Sequence, residues 1–329
     1  MCYGVAHAQC FPPLPARMTI TDRQLRHSAA AYDATAPGLG LILMASGFML
    51  MSLNDGVAKF VGESLPPGEV AWARFLFQSI LAVPIVVAAT GWRSLIPHRP
   101  LANALRGVLL SLSTAMFFIG LKKIPLADSA AIFFIMPFLL TILSVVVDRE
   151  HVGWRRWTAI AIGFSGALLV IQPSFEAFGL FALFPAGAAA CIAVFMLLNR
   201  RLRGTGSGMA LQAFAGLSGT LTLAILLVIG TAIGVPEFSI AAPTLGQWGL
   251  LAGMGAFAAL GHYLMIVAFR YATPAVLAPT QYAQIVSATA FGYVVFGNFP
   301  DLGQWFGIAI VIACGIYVFW RETRVRARG

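Results

Sequence analysis

Ten apolar stretches, each long enough to cross a bilayer as a helix, follow one another from Leu39 to Trp320. A bilayer core of about 30 Å takes roughly 20 helical residues. The stretches 39–61, 68–90, 104–121, 127–147, 155–172, 178–198, 209–233, 247–269, 274–296 and 303–320 meet that requirement within tilt and end effects. They are continuously apolar and lack the period-two alternation of a barrel strand, so helices are expected. Hydrophobic residues make up 59% of the chain and charged residues only 10%, with a mean hydropathy of +0.86. Soluble domains carry about 25% charged residues, so lipid must serve as the solvent. The expected fold is an all-α membrane protein of ten transmembrane helices.

The first five stretches resemble the last five at a near-constant offset. Trp157-Thr158-Ala159-Ile160-Ala161-Ile162 lines up with Trp305-Phe306-Gly307-Ile308-Ala309-Ile310, 148 residues later. That offset contains an odd number of spans, so each half is expected to cross the membrane in the opposite sense to its twin. Inverted repeats of this kind rock around a shared site near the midplane. The halves are taken as 37–173 and 174–321, between an N-terminal tail (1–36) and a basic C-terminal tail (322–329). The N-terminal tail holds Pro12, Pro13 and Pro15 but neither a basic leader nor a long apolar run, and reads as a disordered segment rather than a signal peptide. Translation from Met18 would leave Arg23 and Arg26 as the positive flank.

The net charge of +9 is a topology signal. With a cytoplasmic N-terminus, 17 of the 21 lysines and arginines fall on the cytoplasmic side, in clusters such as Arg149, Arg155 and Arg156 or Arg200, Arg201 and Arg203. Only Lys59, Arg74, Lys122 and Lys123 lie toward the other face. This bias places both termini in the cytoplasm and argues against a nucleic-acid partner. Lys122 and Lys123 are expected to snorkel from the outer end of the third stretch. Four cysteines without zinc-type spacing give no disulfide framework, and no metal or cofactor is expected.

Small residues inside the stretches, Gly163 with Ala167, Ala186 with Ala190, and Gly253 with Gly255 and Ala259, permit close helix crossings. Pro137 and Pro279 interrupt the fourth and ninth stretches and should kink them.

Several residues together resemble the drug/metabolite transporter superfamily, within it the EamA-type group with two five-helix repeats. The first half carries Glu69-Val70-Ala71-Trp72-Ala73-Arg74-Phe75, Arg106-Gly107, and Leu121-Lys122-Lys123-Ile124-Pro125-Leu126-Ala127-Asp128-Ser129-Ala130-Ala131, then Pro137 and Asp148-Arg149-Glu150. The second half carries Ala268-Phe269-Arg270-Tyr271-Ala272-Thr273-Pro274-Ala275 and departs at Asn298, which stands opposite Glu150. The likeness covers about 39–320 and implies fold and transport class more strongly than substrate. The segment Met49–Phe60 is similar to members that import riboflavin or S-adenosylmethionine more than to aromatic amino-acid exporters. The resemblance also implies a cavity lined by spans one, three, four, six, eight and nine.

Polar groups inside lipid are costly, about 2.5–3.5 kcal/mol for a charge on insertion scales, and usually face a partner or a wet cavity. Asp55 and Lys59, four apart on span one, suit either a same-face ion pair or a gate, with Asn54 beside them. Arg74 is deep enough to bind an anionic group or to clamp Asp55 or Asp128, and the clamp is favoured. Asp128 with Ser129 heads span four, where the resemblance implies a helix-start role. Gln281, Gln284 and Ser287 share one face of span nine, near Tyr282, and span eight adds His262 and Tyr263. Such neutral donors and acceptors suit a polar organic solute, or else inter-helix hydrogen bonds. Phe117, Phe118, Phe133 and Phe134 are placed to stack on a ring or to pack, and Asn199 reads as a helix cap.

The function expected is secondary transport of a small polar organic metabolite across a bacterial inner membrane by alternating access. A riboflavin- or S-adenosylmethionine-like import substrate leads, and export of amino acids is the alternative. No catalytic residue is assigned. A membrane-embedded lipid-modifying enzyme would want clustered acids or histidines, and the five histidines are scattered. A channel would want a repeated filter, and none is visible. The partners expected are the solute and membrane lipids, with a homodimer left open.

Overall fold

The computed structural model describes residues 37–149, 179–202, 204–272 and 283–297, with scattered positions between 158 and 165, at 277 and 280, and between 302 and 313. Nine α-helices are found among the described residues: α1 (Pro37–Gly62), α2 (Pro67–Thr90), α3 (Pro100–Leu121), α4 (Leu126–Phe133), α5 (Met136–Asp148), α6 (Leu183–Arg201), α7 (Gly208–Ile233), α8 (Leu245–Ala268) and α9 (Ala283–Phe296). No strand occurs among these residues. Six helices, α1, α2, α3, α6 with its preceding 3₁₀ turn, α7 and α8, are long and apolar enough to cross a membrane. All but those scattered positions of the stretches 155–172 and 303–320, the N-terminal tail, Pro279, and with them Gln281 and Tyr282, lie outside the described residues.

Local chemistry accounts for the helix ends. Pro67 and Pro100 open α2 and α3, where a missing N–H costs nothing because the first turn has no acceptor for it. Ser207 caps α7 by accepting from the Ala210 amide, and Thr244 and Gln247 form a reciprocal capping box at the start of α8. Gly234 ends α7 in the left-handed conformation at φ 74°. The third stretch begins four residues earlier than hydropathy suggests, at Pro100, and both Lys122 and Lys123 at its far end are exposed.

The fourth stretch is not one helix. It breaks between α4 and α5 at Phe134 and Ile135, just ahead of Pro137. Pro137 cannot donate to the carbonyl one turn back, and the chain tightens there through an Ile135 N–H to Ile132 carbonyl bond of 3.1 Å. Two half-helices at membrane depth are tolerated where the freed backbone groups face protein or a cavity.

The helices of 37–148 pack chiefly against those of 183–296. α1 lies against α8 and α9, α3 against α6 and α7, and α2 against α7 and α8, while α5 meets α6. Missing side chains make these crossings close. A Cβ at Gly255 of α8 would stand 2.8 Å from the Gln78 amide nitrogen of α2, and one at Gly107 of α3 would stand 2.6 Å from the Ala215 carbonyl oxygen of α7. Gly253, expected to share this role, faces open space. Apolar residues such as Leu221, Val228 and Val294 point outward, at 64%, 64% and 80% exposure, as a lipid-facing surface requires. The chain is a multi-pass membrane protein.

Candidate functional site

Between the helices lies a cavity of about 870 Å³. It runs from the exposed glycines Gly204, Gly206 and Gly208 at one end of the bundle to Asp55, Arg74 and the buried Phe117 and Phe118 deep within it. Every helix from α1 to α9 contributes to its wall. Beyond the spans implied by the family resemblance, α2 enters through Arg74, and α7 through Leu211 and Gln212. Methionines and phenylalanines are the commonest residues of the wall, so the site is an apolar sleeve with a few placed polar groups, the usual composition of a small-molecule site.

Four of the residues singled out from sequence meet here: Asp55, Arg74, His262 and Gln284. They come from α1, α2, α8 and α9, separated by up to 229 positions in the chain. Asn54, fully buried, donates from Nδ2 to Asp55 Oδ1 at 3.0 Å, and Gln284 stands beside the same carboxylate. Asp55 is the only acidic side chain in the described wall. Arg74 is 3% exposed and donates from Nη1 to Thr114 Oγ1 at 3.2 Å, while its Nε has no partner. Asp55 and Arg74 act on each other through the low-dielectric interior. The expected clamp is thus a looser arrangement, with the guanidinium held by a threonine and both charges facing the same space. His262 bonds through Nδ1 to the Ala258 carbonyl at 2.7 Å. A carbonyl only accepts, so Nδ1 carries the proton, leaving Nε2 of the neutral ring as an acceptor.

Two predicted residues are placed elsewhere. Lys59 does not close a pair with Asp55. Its Nζ donates to the carbonyl oxygens of Leu121 (2.9 Å) and Ile124 (2.8 Å) and lies 5.5 Å from the centroid of the Phe296 ring. The C-terminal carbonyls of α3 have no intrahelical partner and concentrate negative potential, so the ammonium finds a better site there than across one helical turn. Glu63 and Asp128 are the carboxylates nearest in influence to Lys59, so Asp128, 2% exposed, belongs to this end of the bundle. Nearby, Glu69 Oε2 accepts from the Ala241 amide at 2.9 Å and Gln247 Nε2 donates to Ser64 Oγ at 2.8 Å. These contacts tie the two parts of the chain together beyond the blind end of the cavity.

Sequence reading missed Thr114, Ser113, Gln212 and Arg106, all in the wall, and took Asn199 for a cap where it lines the cavity in the last turn of α6. Short polar residues at ordinary helical positions carry no signal of their own. Arg106 was visible only in the Arg106-Gly107 pair of the family resemblance and as one more positive charge at a helix start. Phe117 and Phe133, by contrast, do meet in the wall, edge to face at 5.6 Å between centroids. Among the described residues no group of three or more His, Cys, Asp or Glu converges as a metal site would require.

Comparison with known proteins bears on this geometry. At 27% identity the chain is similar to an S-adenosylmethionine uptake transporter of Rickettsia bellii, over 88% of this chain and 96% of that protein. It is similar at 23% identity to a riboflavin transporter of Rhizobium johnstonii, over 92% and 98% of the two chains. A pseudopaline exporter of Pseudomonas aeruginosa is 24% identical over 84% of this chain and 94% of that one. A solved crystal structure shares the fold with a TM-score of 0.63 at 16% identity, covering 87% of this chain and 98% of its own. Residues 38–172 match the model of the EamA-like transporter family.

Proposed function

We propose that this protein is a secondary carrier that moves a small polar organic metabolite across the bacterial inner membrane by alternating access. The observation that carries the reading is the cavity itself: a long apolar sleeve that ends on one carboxylate, one guanidinium, an imidazole and an amide, drawn from four helices. Buried polar atoms are normally partnered. Here Asn54 Oδ1, Arg74 Nε, Gln78 Oε1 and Gln212 Nε2 are not, and all four belong to residues in or next to the wall. A solute with hydrogen-bonding groups would supply what they lack.

Helix pairing supports ten helices in two inverted repeats. If α1, α2 and α3 correspond to α6, α7 and α8, the contact of α1 with α8 has its twin in that of α3 with α6. The contact of α2 with α8 likewise has its twin in that of α3 with α7, and α2 with α7 is its own twin. Contacts exchanged in this way are what a pseudo-two-fold axis through the bundle produces. The positive-inside bias puts both termini and the 199–208 end in the cytoplasm, so the described conformation is open inward and shut outward. Opening the outer end then requires Lys59 to leave the Leu121 and Ile124 carbonyls, while the 199–208 end closes.

Substrate identity follows from the wall and the relatives together. A planar ring fits among Phe117, Phe133 and Phe195, and a polar group with both donor and acceptor character fits at Asp55 and Arg74. Riboflavin and S-adenosylmethionine both meet that description, and import of one or a close analogue is the leading reading. Export of an amino-acid-like compound is the second, favoured by the likeness to the pseudopaline exporter. Purified protein in liposomes, offered each radiolabelled solute on one side, tests the proposal. Time-dependent accumulation that unlabelled solute competes away is expected. Covalent conversion of the solute, or flux of neither compound nor of amino acids in protein of verified folding, would overturn it.

A further inference from the structure

The open end of the cavity carries a second constellation that the transport reading does not use. Arg106 of α3 is 6% exposed and faces the cavity, although it sits only a turn and a half inside its helix. Its Nη1 donates to Asn103 Oδ1 at 2.8 Å, and Asn103 Nδ2 in turn donates to Thr205 Oγ1 at 3.2 Å. Those two bonds fasten the guanidinium to the glycine-rich segment Gly204–Gly208, which leads into α7. The Phe195 ring also packs on it, with its centroid 5.4 Å from the guanidinium carbon. Arg106 Nε is left buried with no partner.

The segment facing Arg106 is the N-terminus of a 26-residue helix. The first amides of such a helix carry partial positive charge and lack intrahelical acceptors. Ser207 satisfies the Ala210 amide, while Gly204, Gly206 and Gly208 put backbone rather than side chains on the cavity surface. Backbone approach of this kind, next to a fixed guanidinium, is how proteins hold carboxylate and phosphate groups. The acidic side chain of the described wall, Asp55, belongs to the other end of the cavity.

We propose that the cavity mouth is an anion-binding station, formed by Arg106 and the start of α7, that takes a carboxylate or phosphate group. The anion comes either from a soluble molecule entering the cavity or from the headgroup of an anionic lipid beside the mouth. The station stands on its own residues, so it does not depend on which solute crosses or in which direction.

Full-length protein in nanodiscs of neutral phosphatidylcholine, titrated with inorganic phosphate or acetate at constant ionic strength, tests this by the melting temperature against chloride. A saturable rise is expected for the wild type. Arg106→Gln should weaken half-saturation about tenfold or more, as loss of a charge-assisted bond implies, and Arg106→Lys should retain most of it. Gly204→Asp serves if Arg106→Gln does not fold. Gly204 has φ +81°, which aspartate tolerates better than most residues, and its Cβ would meet nothing within 4 Å. A tethered carboxylate there should abolish the phosphate response. Repeating the titration in phosphatidylglycerol nanodiscs separates the sources: a right-shifted phosphate curve assigns the station to headgroups, and an unshifted one to soluble anions. A wild type that responds no more to phosphate or acetate than to chloride, or a response that survives in both Arg106→Gln and Gly204→Asp, would overturn the proposal.

Discussion

At one end of the cavity Lys59 is locked onto two backbone carbonyls, and Glu69 and Gln247 bind across to the other part of the chain. At the opposite end three glycines leave the wall open and exposed. Both ends use a cation, but in different ways. Lys59 spends its hydrogen bonds on the end of α3 and the turn that leads into α4 and so ties α1 to them, whereas Arg106 and Arg74 each keep an unpartnered Nε in or beside the wall. A compact, freely rotating ammonium suits a removable pin, and a planar guanidinium anchored by one edge suits a fixed receptor with the other edge free. On the proposed reading, one chemical class serves closure at one end and recognition along the rest of the cavity.

The largest expected effect comes from taking away Arg74. Arg74→Ala leaves Asp55 buried without the positive charge that faces it, a kind of loss worth about 3–5 kcal/mol for directly paired charges. Transport in liposomes should fall below about one hundredth of the wild type, with Arg74→Lys partly restoring it. Equal flux in Arg74→Ala would mean that the blind end is structural and that recognition lies elsewhere. Asp55→Asn is next. It keeps the shape and the Asn54 contact but removes the charge, and about a tenfold loss of transport at normal protein level is expected, the scale of a charged hydrogen bond.

Lys59→Met sharpens the contrast between the ends. It strands the Leu121 and Ile124 carbonyls, at about 1–3 kcal/mol for each unpaired group, and should let the closed end breathe. In a background with the native cysteines replaced, Leu65→Cys (Leu65 is 4% exposed) should react severalfold faster with a membrane-impermeant maleimide added from outside. Unchanged labelling would remove Lys59 from the closure. Phe133→Ala should raise KM severalfold with little change in maximal rate, since ring stacking contributes about 0.5–1.5 kcal/mol. Gln284→Ala should do least, a loss of transport of about fivefold for one neutral hydrogen bond near Asp55.

How legible the site was depended on how much each residue's role rests on near neighbours. Asp55, Arg74, His262 and Gln284 stand out because charge and amide groups are rare in apolar stretches, and lipid makes each one demand an explanation. The partnership assigned to Lys59 failed because helical spacing offers Asp55 four residues away, while the structure offers the end of another helix. Thr114 was hidden for the opposite reason: a threonine satisfies itself on its own backbone so often, as Thr114 does on the Leu110 carbonyl, that only its position in the bundle reveals a role. A distortion at Pro137 was foreseen because proline acts on the turn that contains it, but as a kink and not as a split into two helices, whereas Gly253 and Gly255 differ only in what lies across from them.

Sequence alone determined the solvent and the secondary structure: continuous apolar runs of bilayer length can satisfy their backbone in lipid only as helices, a matter of composition within each run. The tertiary structure decided which polar groups share a space. That depends on how each helix is rotated about its axis and where it crosses its neighbours, and crossings such as Gly107 on Ala215 and Gly255 on Gln78 join residues more than a hundred positions apart. No local pattern carries that information, because the free energy of a close crossing belongs to both helices at once.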